Sequence, residues 1–256
     1  MTNLQATGRR AVKAWLTFIR YAAPMQKHVF WFMGRRVELW THPEPDHMGK
    51  VIRITGQFYE TDVLMKCREQ YWPGAAIIDV GANIGNHAVF FGAILNAPVY
   101  AFEPYKPNFD LLEMNIAANG LDGQVVPLGC AIGAADGTGS LHPGPSTNPG
   151  TTVVSFGAGQ VPVRSLDSLA IPGRIGLLKM DVEGAEPAVL MGATALIQTW
   201  LPDIVVEAGT TAAFSAVATI LAGLGYVPQG RFADTPTYLF VAIDQPARMQ
   251  AFLAGA

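Results

Sequence analysis

The chain of 256 residues is half apolar and 14% charged, with a formal net charge of −3. That balance excludes a disordered polypeptide and supplies apolar surface for one large core. The acidic charge disfavours nucleic acid as a partner, although Arg9, Arg10, Lys13 and Arg20 cluster near the start. Two cysteines, Cys67 and Cys130, are too few for a disulfide framework or a structural zinc site, and they fit a reducing, cytoplasmic setting.

Residues 1–72 read as an extension ahead of a catalytic domain at 73–256. Val12, Trp15, Leu16, Phe18 and Ile19 recur at the spacing of an amphipathic helix. Lys13 and Arg20 break its apolar run, so neither a signal peptide nor a membrane span is expected. This helix would dock on its own domain or on the partner of a homodimer; contact with a membrane surface is the minor alternative. His28–Gly34 and Arg35–Thr41 are aromatic and β-branched runs joined at Met33-Gly34-Arg35, a hairpin signature. His42 and His47 are expected in an exposed polar turn, Val51–Gln57 in a short strand and Phe58–Tyr71 in a helix.

The stretch Ile77–Phe91, IIDVGANIGNHAVFF, is the organising centre of the chain. An apolar run flanked by Gly74 and Gly81 predicts a strand buried on both faces. Gly81 and Gly85 allow a tight turn and close approach of a ligand. From Asn86 the apolar residues recur at helical spacing, so free N-terminal amides of a helix face the turn. A dinucleotide fingerprint would place a glycine where Asn83 stands. The next strand, Pro98–Phe102, ends at Glu103, about twenty positions after Gly81, where an acidic residue reaches a ribose in nucleotide-binding folds.

Pro107–Asn119 is expected as a helix and Gln124–Leu128 as a strand. Residues 133–160, rich in Gly, Pro, Ser and Thr, predict loops around short strands such as Thr152–Phe156, read either as an acceptor-binding lid or as a plain hairpin extension. Val161–Arg164 reads as a strand, Ser165–Leu169 as a short capped helix, Ile175–Met180 as a buried strand, and Ala185–Thr199 as one helix. Asp203–Val206 is a strand, Thr211–Leu224 a helix, and Tyr226–Gln229 and Thr237–Ile243 the closing strands. Alternation of strands and helices predicts an α/β fold with a doubly wound, mainly parallel sheet. Asp79, Glu103, Asp181 and Glu207 then belong at one rim, beyond the carboxyl ends of the strands.

Four stretches carry a resemblance: DVGANIGNHAVFF at 79–91, AFEPYKPNFDLLEMNIAANGL at 101–121, VRSLDSL at 163–169 and LKMDVEGAEPAVLMGA at 178–193. In this order they are similar to the FkbM-type class I methyltransferases. The resemblance implies a Rossmann-like seven-stranded sheet, S-adenosyl-L-methionine as cofactor, and O-methylation of a hydroxyl on a sugar, glycan or natural-product acceptor. It places Asp79, Gly81, Asn83, Gly85, Asn86, Glu103, Ala131 and Asp181 around the cofactor; Glu60, where the family often has a glutamate, is read either as a local cap or ion-pair partner or as a contact at the cofactor's methionine end. Asp181, Glu183 and His87 are the candidate groups for orienting or deprotonating the acceptor. Asp181 and Glu207 also resemble the metal ligands of catechol-type methyltransferases, so magnesium is held as an open option. The rival readings are a non-catalytic module of the same fold and, less favoured, an NAD-dependent oxidoreductase.

Overall fold

The computed structural model describes residues 24–43, 46–142, 152–233 and 236–244. The expected N-terminal amphipathic helix, and the centre of the glycine- and proline-rich stretch, lie outside the described residues. The chain divides into two compact units, residues 1–59 and 60–256. The boundary expected at 72–73 thus falls one helix earlier in the structure.

In the first unit, β1 (Gln26–Phe32) and β2 (Arg35–Thr41) form the expected antiparallel hairpin. Its turn is made by Met33 and Gly34, both at positive φ (48° and 80°), the geometry a tight two-residue hairpin requires. Phe30, Val37 and Leu39 face inward, and the Phe58 ring meets Phe30 and Phe32 edge-on at 5.2 and 5.4 Å. The strand expected at Val51–Gln57 is instead a helix, α1 (His47–Thr55). Asp46 caps it by accepting from the Gly49 amide at 2.9 Å, and Gly56 closes it in a left-handed conformation with φ of 62°. These two caps outweigh the β-branched composition of the run. Of the two histidines expected in an exposed polar turn, His42 is buried, whereas His47 is exposed at the start of α1.

The second unit opens with α2 (Thr61–Gln70) and is built on a seven-stranded sheet. Its strands are β3 (Ala76–Val80), β4 (Val99–Phe102), β5 (Val125–Leu128), β10 (Ile175–Met180), β11 (Asp203–Glu207), β12 (Tyr226–Phe232) and β13 (Thr237–Ala242). They lie in the order β12-β13-β11-β10-β3-β4-β5. From β5 to β11 the neighbours are parallel; β13 is antiparallel to β11 and to β12. The expected α/β class and mainly parallel sheet are therefore present. Between the strands run α3 (Asn86–Ala93), α4 (Lys106–Ala118), α5 (Glu186–Met191), α6 (Thr194–Trp200) and α7 (Thr211–Gly223).

One sheet face carries Ile78, Val80, Leu178, Met180, Ile204, Val206 and Phe240 into a continuous core with Val189, Ile197, Val217 and Leu221 of the helices. The single helix expected over 185–199 is broken into α5 and α6. At the break, a Cβ on Gly192 would lie 2.0 Å from the carbonyl oxygen of Gly133. The Asp167 carboxylate also accepts from the amides of Ala195 and Leu196, both at 2.9 Å, and so starts a new helix. A second sheet of β6 (Ala131–Ile132), β7 (Gly137–His142), β8 (Val153–Phe156) and β9 (Val161–Arg164) has the order β6-β9-β7-β8. Within the stretch read as loops around short strands, the described residues thus hold two, Gly137–His142 and, as expected, Val153–Phe156.

Candidate active site

Two clefts open at the carboxyl ends of the parallel strands, and Asp181 lines both. The first is walled by Gly81, Asn83, Glu103, Pro104, Asn108, Thr152, Val154 and residues 181–183. The turn between β3 and α3 shapes it. Gly81, Asn83 and Gly85 have positive φ values of 78°, 52° and 87°, so the backbone reverses within five residues. Asn115 fixes this turn from α4, donating through Nδ2 to the Ile84 carbonyl oxygen at 2.8 Å.

Glu103 is held rigidly at the cleft's edge. Its Oε2 accepts from the Asn83 amide and its Oε1 from the Tyr105 amide, each at 2.8 Å. Burial pushes its carboxyl up to about 7, against the pull of those two backbone donors. Each oxygen retains a further acceptor site, which suits a vicinal diol. Thr152 and Val154, from the segment read either as a lid or as a plain hairpin extension, stand in the cleft wall.

The second cleft is small and acidic. It is lined by Glu60, Val63, His87, Lys179, Met180, Asp181, Val205, Glu207 and Thr237. Burial pushes the Glu207 carboxyl up to about 8, reinforced by the charges of Asp181 and Glu60. His87 Nε2 lies 3.5 Å from Glu60 Oε2 and makes no hydrogen bond among the described residues. Proximity to a carboxylate would favour imidazolium, but the ring is buried. Burial and then the charge of Lys179 hold it well below the ordinary histidine range, so it is neutral at neutral pH. Its ring stacks at 22° against Phe91.

The expected site residues therefore separate. Gly81, Asn83, Glu103, Asp181 and Glu183 line the first cleft, and His87 joins Asp181 in the second. Glu183 sits on a left-handed turn with φ of 51°, and burial followed by the charges of Asp181 and Glu186 raises its carboxyl. Gly85 and Asn86 shape the start of α3 without lining either cleft, and Ala131 is buried in β6. Asp79 lies beneath the clefts rather than in their walls, because it is interior to β3 with no exposed surface.

Sequence reading missed Lys179, whose ammonium lies 3.2 Å from Asp79. The signal was available: a lysine inside Ile175–Met180, a strand expected to be buried on both faces, requires a buried countercharge. Asn108 was also missed, since its place in the cleft depends on how α4 packs. As for magnesium, the described residues contain no group of three or more His, Cys, Asp or Glu side chains arranged to hold a metal ion.

Parallel strands ending in a glycine turn, a pinned carboxylate and an acidic cleft define an α/β protein with its clefts at the strand ends, the place where open α/β sheets bind their ligands. The family model for the methyltransferase FkbM domain matches residues 79–228, and the chain belongs to that family. The hexuronic acid methyltransferase AglP of Haloferax volcanii is 35% identical over 154 residues, covering 59% of this chain. The match spans 63% of that relative's length. Among solved structures, an FkbM methyltransferase from Methylobacillus flagellatus KT aligns with a TM-score of 0.48 and 17% identity, over 67% of this chain and 44% of that one. A putative rRNA methylase from Clostridium thermocellum aligns with a TM-score of 0.48 and 13% identity, over 70% and 92%.

Proposed function

We propose that this protein is an S-adenosyl-L-methionine-dependent methyltransferase acting on a hydroxyl of a sugar or glycan-like acceptor. The observation that carries the reading is the meeting of the two clefts at Asp181. The residues of the first cleft fit a nucleoside: Glu103 offers acceptors for a ribose diol, and the Gly81–Gly85 turn brings backbone close to a ligand. When bound, the cofactor would supply a methyl group already activated on a sulfonium.

The protein's part is then to orient the acceptor oxygen and accept its proton. Asp181 is the first candidate, because it borders both clefts. His87, neutral and without a hydrogen bond on Nε2 among the described residues, is a second proton acceptor in the same cleft. Glu183 lines the first cleft together with Asp181. Glu60 and Asp181 border the second cleft, beside a Glu207 held largely protonated at neutral pH, and their charge favours a neutral hydroxyl over an anionic acceptor group. The sugar acid in the name of the AglP relative supports a sugar acceptor.

Calorimetric titration with S-adenosylhomocysteine, with NAD as control and with magnesium or a chelator present, tests the cofactor. Saturable binding of the first ligand alone, unchanged by chelation, is the expected result. Failure of a folded sample to bind it would favour a non-catalytic module. A screen of neutral and uronic sugars with labelled methyl donor then tests the acceptor. Label retained in base-stable ether linkage is expected, whereas base-labile label would point to carboxyl methylation.

A further inference from the structure

Lys179 places a cation where a central parallel strand is otherwise apolar. The residue is 4% exposed and lies in register with Asp79 on the neighbouring strand. Its Nζ is 3.2 Å from Asp79 Oδ1, 3.4 Å from the Gly81 carbonyl oxygen and 3.9 Å from Asp181 Oδ2. These partners belong to β3, to the turn after it, and to the segment after β10. Burial opposes the charge, but the carboxylates of Asp79, Asp181 and Glu60 outweigh burial and keep the ammonium protonated. Lys179 is therefore not a proton acceptor.

The Asp79 contact is an ion pair without hydrogen-bond geometry; neither oxygen of Asp79 makes a hydrogen bond among the described residues. Burial raises the Asp79 carboxyl, but the ammonium 3.2 Å away opposes this, and that close pairing is what makes Asp79 a countercharge below the clefts. A lysine needed only to neutralise Asp79 would have no reason to extend further. Instead it donates to Gly81 at the place where the β3 turn touches Asp181. The Asp181 side chain is 32% exposed, and the ammonium is the cation that faces it from the buried side, 3.9 Å from Oδ2.

We infer that Lys179 is a positioning residue, anchored by Asp79, that sets the orientation of Asp181 between the two clefts and holds the Gly81 turn beside it. The brace rests on geometry; its consequence for ligand binding rests on the S-adenosylmethionine reading.

The test uses the full chain and compares Asp181→Asn, the pair Asp79→Asn with Lys179→Met, and the triple combination. Removing both members of the anchor pair leaves no stranded buried charge, so that variant should unfold in urea near the wild-type midpoint. It should nevertheless bind S-adenosylhomocysteine about tenfold more weakly, as Asp181→Asn does, and the triple variant should lose less than about twofold more. Full affinity in the pair-removed variant, or losses that multiply, would overturn the assignment. If the wild type binds no S-adenosylhomocysteine, the cofactor reading fails separately. The brace is then decided by stability: Asp181→Asn should lower the urea midpoint when Lys179 is present and not when it is absent. Equal shifts in both backgrounds would refute it.

Discussion

A Cβ added to Gly81 would lie 1.9 Å from the backbone carbonyl oxygen of Asp181. The two residues are thus in backbone contact, and the Asp181 amide donates to the Val80 carbonyl at 3.0 Å. The φ of 78° at Gly81 adds a second reason for glycine. Because the obstruction is backbone, no side-chain rotation relieves it. Gly81→Ala should therefore destabilise the fold by at least about 2 kcal/mol and separate the cleft walls. Urea denaturation and S-adenosylhomocysteine titration together check this. An unchanged midpoint with unchanged affinity would mean the contact is not maintained in solution.

Glu103 makes the cleft sensitive to pH. Its carboxyl titrates near 7, and the ionised form is the one that offers acceptors to a diol. Ligand affinity should accordingly fall as pH drops below that value, by at most about tenfold per unit for one proton. Glu103→Gln should bind weakly and lose this dependence. It replaces one acceptor by a donor facing the amides of Asn83 or Tyr105. A wild-type affinity flat across this range would show that the carboxylate does not contact the ligand.

Much of this arrangement was legible in the sequence, because buried parallel strands write themselves as short apolar runs. Ile77–Val80, Val99–Phe102 and Ile175–Met180 all appear where periodicity placed them, and their ends locate Glu103 and Asp181. Misreadings arose where a cap or a distant contact decided the outcome. Val51–Thr55 looks like a strand until Asp46 and Gly56 are recognised as its two helix caps. The break at Gly192 depends on Gly133 and Asp167, which are remote in sequence. The clefts were legible to the level of strand ends. Whether an acid there faces a ligand or a buried lysine depends on side-chain direction, which is why Asp79 moved from wall to foundation.

The cap of α1 yields a prediction confined to the first unit. The Asp46 carboxylate satisfies an otherwise orphaned amide at Gly49. Asp46→Ala should cost about 1 kcal/mol, with Asp46→Asn or Asp46→Ser recovering most of it. Amide hydrogen exchange across 47–55 should accelerate in the alanine variant, leaving the strands of residues 60–256 unaffected. Equal acceleration in both units would mean that the helix start is not independent of the larger unit.

Glu207 supplies a pH test that needs no ligand. Its ordinary value of 4.5 rises to about 8 in the folded protein, through burial and the charges of Asp181 and Glu60. The folded chain therefore holds a proton, between those two values, that the unfolded chain has released. With more protons bound in the native state, stability must fall as pH rises across that window. Glu207→Gln removes this contribution, and Glu103 retains a smaller one of the same sign up to about 7. Urea midpoints measured between about pH 5 and about pH 8 should decline more steeply in the wild type than in the variant. Parallel declines would mean that Glu207 is ionised in the folded state. In that case the second cleft would carry a further negative charge at neutral pH, strengthening its preference for a neutral or cationic occupant.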